Sequence, residues 1–398
     1  MHLQSLKETA KIKLVPCNLQ HLGAAVKFPP FLLERYFAQH EFSVPNLLCV
    51  SDCQTMTVGD LLDMEPGSRE AFERLPLGYT EAPGGAELRA EIAPLYADLS
   101  PDNVLVHVGA EEAIFTFATA CLEPGNEVIV HTPCYQSLYQ IAATRGCAVV
   151  PWVARPENGW APDTDELARL VTPRTKAIVV NSPHNPTGYC LDRAAMDRIV
   201  SVAARQGCLL FSDEVYRFLE YGVAETPRPA CDLYERAVSL GVMSKSLGLA
   251  GLRVGWVASR DKAVLSAMAA VKDYTSICGS APSEFLAALA LRRREVILAR
   301  QYALTTANLD LLEGFMARHS HLFDWVRPSG GPIAFPKLAF GQDAEPFCAE
   351  VLSGSGVLLL PGRLYGDAWK AHMRLGFGRA DFAQGLGALE DFLKKGAV

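Results

Sequence analysis

The sequence predicts an α/β fold with a large domain built on a mostly parallel, doubly wound sheet and a smaller α+β domain. Short apolar runs alternate with segments of helical spacing, such as residues 192–206, which is typical of a parallel sheet buried on both faces. The chain has 398 residues, of which 49% are hydrophobic, so it can bury one large core and a smaller one. The apolar runs cover residues 104–108, 128–131, 177–181, 208–212, 237–242 and 255–259.

The part of the chain after these runs changes character, because residues 280–319 have a strongly helical pattern. We expect one long helix that leads out of the large domain. The segments that follow predict two strands and a closing helix, at residues 357–360, 372–377 and 380–394.

The first 45 residues predict an arm that packs either on the C-terminal domain or on a second subunit. We therefore predict a large domain over residues 46–285 and a small domain formed by residues 1–45 and 286–398.

Composition favours small-molecule chemistry in the cytoplasm. The 37 basic and 44 acidic residues give a net charge of -7 and are interspersed, so no basic tract indicates nucleic acid or a membrane surface as a partner. No apolar N-terminal segment or long uncharged stretch indicates secretion or a membrane span. The 11 cysteines include no Cys-x-x-Cys pair, which predicts reduced thiols and no metal site.

Two residues suggest the chemistry. Lys245 is a primary amine in a segment rich in small residues, and this makes it a candidate Schiff-base nucleophile. Asp213 ends an apolar run and is a candidate partner for a protonated pyridine nitrogen. Considered alone, Lys245 is more simply explained as a solvated lysine, and Asp213 as a helix cap.

Polar residues after the other predicted strands support a ligand site, since ligands of α/β sheets bind beyond the carboxyl ends of strands. Gly109 and Ala110 open a predicted helix, where backbone N–H groups suit a phosphate. Asn185 lies in a proline-rich turn that can direct its amide at a ligand. Tyr216 follows Asp213 by three positions and would face the same ligand if a helical turn begins there.

These motifs occur together and in the same order as in fold-type I pyridoxal phosphate enzymes of the class I/II aminotransferase family, which the sequence resembles over nearly its whole length. The resemblance implies pyridoxal 5'-phosphate as cofactor, a Schiff base with Lys245, and a charged hydrogen bond between Asp213 and the ring nitrogen. It also implies that Asn185 and Tyr216 hold the phenolic oxygen of the cofactor.

The resemblance extends to the phosphate and the ring face. Residues 244–255 match the family pattern Ser-Lys-x-x-Gly-x-x-Gly-x-Arg-x-Gly, which implies Ser244 and Arg253 as phosphate ligands. Backbone N–H groups at Gly109 and Ala110 would complete this phosphate site. Tyr135 is similar to the aromatic residue that stacks on the cofactor, although it also reads as an ordinary core tyrosine.

Two further positions carry over from the family. Tyr79 matches a residue that reaches across a dimer interface to the neighbouring subunit's phosphate, which implies a homodimer with shared active sites. Arg374 matches the arginine that binds a substrate α-carboxylate, together with Asn185. Arg363 and Arg379 are nearby alternatives that read as surface or structural residues.

The sequence departs from the family pattern at two positions. Glu111 stands where many relatives carry a small hydroxyl residue, and a carboxylate beside a phosphate is repulsive. We therefore expect Glu111 to turn away and serve the helix N-terminus. Val242 stands where a phosphate-binding serine is common, so one hydroxyl donor is missing.

The resemblance implies an aminotransferase that moves an amino group from an L-amino acid to a 2-oxo acid, with Lys245 as the Schiff-base residue and proton carrier. A decarboxylase, β-lyase or cyclase on the same fold is the alternative, and a catalytically silent regulator is a third possibility that the acidic balance and the lack of an N-terminal DNA-binding segment disfavour. Substrate choice should depend on residues 51–54 and 276–280. Within them, Asp52 is either a partner for a basic substrate group or, more simply, a loop residue or helix cap.

Overall fold

A seven-stranded sheet forms the centre of the computed structural model, which describes residues 27–223 and 226–396. The strands in chain order are β1 Asn46–Leu47, β2 Val104–His107, β3 Glu127–Thr132, β4 Ala148–Val153, β5 Thr175–Asn181, β6 Leu209–Asp213, β7 Ala237–Val242, β8 Gly255–Ser259, β9 Phe323–Asp324, β10 Ile333–Ala334, β11 Lys337–Leu338, β12 Val357–Leu358, β13 Leu360–Pro361 and β14 Met373–Gly376. The central sheet has the order β2-β8-β7-β6-β5-β3-β4. Only β8 is antiparallel to its neighbours, so the prediction of a mostly parallel sheet is confirmed.

Helices cover both faces of this sheet. They are α1 Leu32–His40, α2 Val58–Leu62, α3 Ser68–Glu73, α4 Ala86–Ile92, α5 Gly109–Cys121, α6 Ser137–Thr144, α7 Thr164–Leu170, α8 Arg193–Gln206, α9 Ala230–Leu233, α10 Lys262–Lys272, α11 Ala281–Arg292, α12 Arg294–Arg318, α13 Ala344–Ser355 and α14 Phe382–Lys394. Strand alternation directs Val128 and Val130 of β3 into the core formed with α5 and α6, and Ile129 into the core formed with α8. The sheet is therefore doubly wound.

The six strands predicted for the central sheet are present with limits shifted by no more than two residues, but one expectation was wrong in detail and one strand was not predicted. The single long helix expected over residues 280–319 is two helices, α11 and α12, divided at Arg293. The chain turns there because α11 is buried in the core of the large sheet, whereas α12 contributes Leu309 and Phe315 to the C-terminal core. The sequence also gave no signal for β4, an edge strand in which Pro151 interrupts the apolar pattern.

The C-terminal part forms a second core in which α12, α13 and α14 pack with a three-stranded sheet of order β10-β14-β13. The described part of the N-terminal arm packs here, because Leu33 of α1 lies in one apolar cluster with Leu358 and Leu360. The strand β1, which follows the arm directly, pairs with β12. Residues 1–26 of the predicted arm lie outside the described residues. The proposed domain limits at residues 46 and 285 stay predictions.

Within the described ranges, none of the helices is both long and apolar enough to cross a membrane. The ten cysteines of these ranges are free thiols.

Candidate active site

A cavity of about 410 Å³ opens at the carboxyl ends of β5, β6 and β7. We call it the active-site cavity. It brings together most of the residues that the sequence singled out. Its lining consists of Leu33, Glu34, Phe37, Glu41, Val50, Ser51, Asp52, Ala110, Glu111, Ile114, Tyr135, Asn181, Asn185, Asp213, Val215, Tyr216, Ser244, Lys245, Ala250, Arg253 and Arg374.

Lys245 follows β7 and points its amine into the cavity. Its Nζ donates a hydrogen bond to Ser51 Oγ at 3.0 Å and lies 5.9 Å from the centre of the Tyr216 ring. Burial lowers the pKa of the Lys245 amine, and the Arg374 charge acts in the same direction, while Asp52 opposes both. A lowered pKa increases the fraction of neutral amine, which is the nucleophilic form.

Asp213 is the last residue of β6 and is buried. Its Oδ1 accepts a hydrogen bond from the Val215 backbone N–H at 3.2 Å, and no helix begins there, so Asp213 is not a helix cap. Burial raises the pKa of Asp213 to about 7. A positively charged group beside it would favour its ionised form.

Asn185 and Tyr216 present unused polar atoms. Asn185 Oδ1 accepts hydrogen bonds from the Tyr365 hydroxyl at 2.9 Å and from Arg374 Nη1 at 3.2 Å, so the amide nitrogen remains available to a ligand. The Tyr216 hydroxyl is buried and has no hydrogen-bond partner among the described residues, although Ser51 lies nearby. A buried hydroxyl without a partner is costly, and a bound acceptor would satisfy it.

The N-terminus of α5 forms the phosphate-sized end of the cavity. Gly109 has φ of +77°, and a Cβ at this position would lie 2.5 Å from Arg253 Nη2. Only glycine therefore allows the guanidinium to approach the helix N-terminus, where backbone N–H groups attract anions. Ala110 and Ser244 line the cavity at the same end.

Arg374 on β14 is 1% exposed and is held by four hydrogen bonds. Nε and Nη2 donate to the Cys49 carbonyl at 3.0 and 2.7 Å, and Nη1 donates to Asn185 Oδ1 and to the Tyr365 hydroxyl, the latter at 2.8 Å. A guanidinium has five N–H donors, and four of them are already used here. A carboxylate that contacts Arg374 at two points must therefore replace one of the four existing hydrogen bonds.

The alternative arginines differ from Arg374. Arg363 forms ion pairs with Asp343, Glu345 and Asp367 on the outside of the fold, as expected of a surface residue. Arg379 pairs with both carboxylate oxygens of Asp52, at 3.1 and 2.8 Å.

The expected position of Glu111 needs correction, and the structure decides between the alternatives for Asp52. Asp52 lies in a loop and caps no helix, and it lines the cavity as the partner of Arg379. Glu111 does not turn away, because it lines the cavity and accepts a hydrogen bond from Ser137 Oγ at 3.1 Å. Burial raises the pKa of Glu111 to about 7. The neighbouring Glu112 serves the helix N-terminus instead, accepting from the Val108 N–H at 2.6 Å.

Tyr135 and Tyr79 differ in their positions relative to the cavity of this chain. Tyr135 lines the cavity and donates its hydroxyl hydrogen bond to Glu34 Oε1 at 2.9 Å, so it is no ordinary core residue. Tyr79 is 95% exposed and lies outside the cavity of its own chain. Its predicted role in a neighbouring subunit therefore stays a prediction.

Three contacts were missed at the sequence level: the Tyr365 hydroxyl, the Cys49 carbonyl and the Ser51 hydroxyl. Tyr365 lies in a segment without a motif, and a backbone carbonyl has no sequence signal. Only the fold brings these groups to Arg374 and Lys245.

The residues fit pyridoxal phosphate. The glycine-lined helix N-terminus with Arg253 suits the phosphate, and the orphaned Tyr216 hydroxyl and the free Asn185 amide suit the phenolic oxygen. Asp213 in the same cavity would supply the carboxylate for a ring nitrogen, and Lys245 would supply the amine.

Comparisons with known proteins agree with this fit. A family model described as "Aminotransferase class I and II" matches residues 47–377. Capreomycidine synthase from Streptomyces vinaceus is 32% identical over 378 residues, which cover 94% of this chain and 96% of that protein. A PLP-dependent aminotransferase structure from Streptococcus suis has a TM-score of 0.87 at 30% identity, covering 93% of this chain and 98% of that one.

The structure of the PLP-dependent cyclase OrfR has a TM-score of 0.86 at 31% identity, with the same coverage of 93% and 98%. Similar proteins therefore include both an aminotransferase and a cyclase. The chain belongs to the class I and II aminotransferase family of fold-type I enzymes, and its cofactor is pyridoxal 5'-phosphate.

Proposed function

We propose that the protein is an aminotransferase that moves an amino group from an L-amino acid to a 2-oxo acid, with Lys245 as the catalytic amine. The observation that carries this proposal is the meeting of Lys245 and Arg374 in one cavity, in a chain of the aminotransferase family. An amino acid held by its carboxylate at Arg374 would share this cavity with the Lys245 amine.

The bound cofactor supplies an aldehyde that reacts with amines and a ring that accepts electrons from the substrate α-carbon. Asp213 would keep the ring nitrogen protonated, and Asn185 and Tyr216 would hold the phenolic oxygen. Tyr135 would pack against the ring. Arg253, the Ser244 hydroxyl and backbone N–H groups of Gly109 and Ala110 would hold the phosphate.

Lys245 has two tasks. Its amine would hold the cofactor covalently in the resting enzyme, and once the substrate amine has released it, it would take the proton from the substrate α-carbon. The lowered pKa of the Lys245 amine suits the second task, because a base must be neutral before it can accept a proton. Arg374 and Asn185 meanwhile fix the substrate carboxylate.

The exposed ring of Tyr79 supports a homodimer in which Tyr79 contacts the phosphate bound to the partner subunit. Measurement of mass in solution, combined with Tyr79→Phe, tests this. A dimer whose cofactor affinity falls in the variant supports the shared site, whereas a monomer with full affinity and activity contradicts it.

A cyclase is the second candidate, because capreomycidine synthase is similar over 94% of this chain and OrfR over 93%. Both candidates use the same residues up to removal of the α-proton, and they differ in what happens to the side chain afterwards.

One incubation separates the candidates. The protein loaded with pyridoxal phosphate is mixed with pooled L-amino acids and 2-oxoglutarate, and the products are identified by mass spectrometry. New glutamate with a matching 2-oxo acid supports transamination. A ring product supports the cyclase, and release of carbon dioxide or ammonia without glutamate indicates a decarboxylase or a lyase.

A further inference from the structure

One face of α1 borders the active-site cavity and carries two carboxylates. Glu34, Phe37 and Glu41 are spaced i, i+3 and i+7, which places them on the same side of a helix, and all three line the cavity. The Phe37 ring centre lies 5.8 Å from Arg374 Cζ. The two carboxylates therefore stand on either side of the ring that packs against the carboxylate anchor.

The other charges of the cavity already have partners or tasks. Asp52 is paired with Arg379, Asp213 is assigned to the ring nitrogen, and Glu111 accepts a hydrogen bond from Ser137 near the N-terminus of α5. Arg253 belongs to the phosphate and Arg374 to the substrate carboxylate. Glu34 and Glu41 thus remain without an assigned cation.

No Lys, Arg or His side chain of the described ranges lies within ion-pair distance of either carboxylate. Glu34 receives only the Tyr135 hydroxyl, at 2.9 Å. Glu41 follows the last residue of α1, where the helix dipole disfavours a negative charge. Burial raises the pKa of Glu41, and the Arg379 and Lys245 charges offset this effect only in part.

The Tyr216 hydroxyl of the same cavity is taken by the phenolic oxygen of the cofactor, so it does not account for the two carboxylates of α1. Glu34 and Glu41 line the cavity together with Lys245, and the charges of the amine and of the two carboxylates act on one another. A substrate held at Arg374 would thus extend its side chain along α1.

We propose that Glu34 and Glu41 bind a cationic group at the end of the substrate side chain, so that the substrate is a basic amino acid. This inference rests on the proposed function, because it assumes that an amino acid reacts at Lys245. A guanidinium suits two carboxylates better than an ammonium does, since its planar fork can donate to both at once.

The wild-type protein with bound pyridoxal phosphate gives the first test. L-Arginine, L-lysine and L-citrulline are offered separately, and reaction is followed by the spectrum of the bound cofactor and by product analysis. Citrulline matches arginine in size but is neutral. We expect kcat/KM for arginine to exceed that for citrulline by about 10- to 100-fold, as expected for a charge-assisted contact.

Variants test whether Glu34 and Glu41 cause the preference for arginine over citrulline. Glu34→Gln and Glu41→Gln should each reduce the arginine-to-citrulline ratio by about 10-fold or more, whereas Glu350→Gln, on the exposed side of α13, should leave the ratio unchanged. The cofactor spectrum of each variant confirms that the site is intact, and the wild-type ratio remains decisive if a variant fails to fold.

The outcomes separate the two proposals. Reaction with neutral amino acids in preference to arginine and lysine would overturn this inference and leave the proposed function standing. Equal ratios in the wild type and both Gln variants would do the same. If no amino acid changed the spectrum of the bound cofactor, both proposals would fail.

Discussion

The two ends of the active-site cavity are built from different kinds of connection. The cofactor end, defined by Gly109, Asp213, Lys245 and Arg253, lies at the ends of strands in one sheet. The substrate end, formed by α1, residues 49–52 and Arg374, joins segments far apart in the chain, such as Cys49 and Arg374, which are 325 positions apart. Cofactor binding thus depends on the central sheet, and substrate contact depends on how the first and last parts of the chain pack. Substitutions at the two ends should have separable effects.

The largest effect is expected at Lys245, which lies at the cofactor end of the cavity but also acts on the substrate. Lys245→Ala should lower turnover by about 10²- to 10⁴-fold and abolish the yellow absorbance of the lysine-bound cofactor. The phosphate contacts remain, so cofactor should still bind without the covalent bond. Absorbance spectroscopy and turnover assays measure both results, with Lys176→Ala as a control at an exposed lysine. Normal absorbance and activity in Lys245→Ala would show that another amine carries the chemistry.

The same contrast between the two ends explains what could be predicted from sequence. Asp213, Lys245 and Asn185 follow apolar runs directly, so strand ends and spacing place them near one ligand. The contacts of Arg374 with Cys49 and Tyr365 depend on long-range packing that leaves no local pattern.

The surroundings of charged side chains also could not be predicted from the local sequence. Glu111 and Glu112 are adjacent in the first turn of α5, and both are acceptable at a helix N-terminus. Their different directions are decided by Ser137 and by the Val108 N–H, which only the fold brings near.

A substitution at Gly109 should damage the cofactor end alone. In Gly109→Ala the new Cβ would displace Arg253, so we expect pyridoxal phosphate affinity to fall by about 10-fold or more, the value of one charged contact. Gly125→Ala is the matched control, since Gly125 also has a positive φ, of +84°, but open space around it. Both variants should lose about 1–2 kcal/mol of unfolding free energy through backbone strain.

Cofactor titration and thermal unfolding separate these two effects of the glycine variants. Equal cofactor affinity in both variants would show that Gly109 does not contribute to the phosphate site. A change in substrate preference in Gly109→Ala would contradict the separation of the two ends.

A substitution at Tyr365 should damage the substrate end alone. Tyr365→Phe removes the hydroxyl that accepts from Arg374 and donates to Asn185, leaving a buried guanidinium donor unpaired. We expect KM for the amino acid to rise roughly tenfold, which corresponds to about 1.4 kcal/mol, with an unchanged cofactor spectrum. Tyr36→Phe is the control, because its hydroxyl bonds to the Leu359 carbonyl and does not touch Arg374. The same KM in both variants would mean that Tyr365 does not position Arg374.

The smallest effect is expected at Glu111, which lines the cavity beside the phosphate end. With a pKa of about 7, this carboxyl is mostly protonated below neutral pH and ionised above it. Its negative charge then opposes a phosphate, so cofactor binding takes up a proton and should weaken with rising pH, by at most about tenfold per unit above pH 7. Deprotonation of Lys245 strengthens cofactor binding as the pH rises, which is the opposite effect. Because it occurs equally in the wild type and in Glu111→Gln, comparing the two proteins isolates the contribution of Glu111. Cofactor titrations between pH 6.5 and 8.5 should therefore give a steeper loss of affinity in the wild type than in the variant; parallel curves would mean that the Glu111 charge does not act on the phosphate.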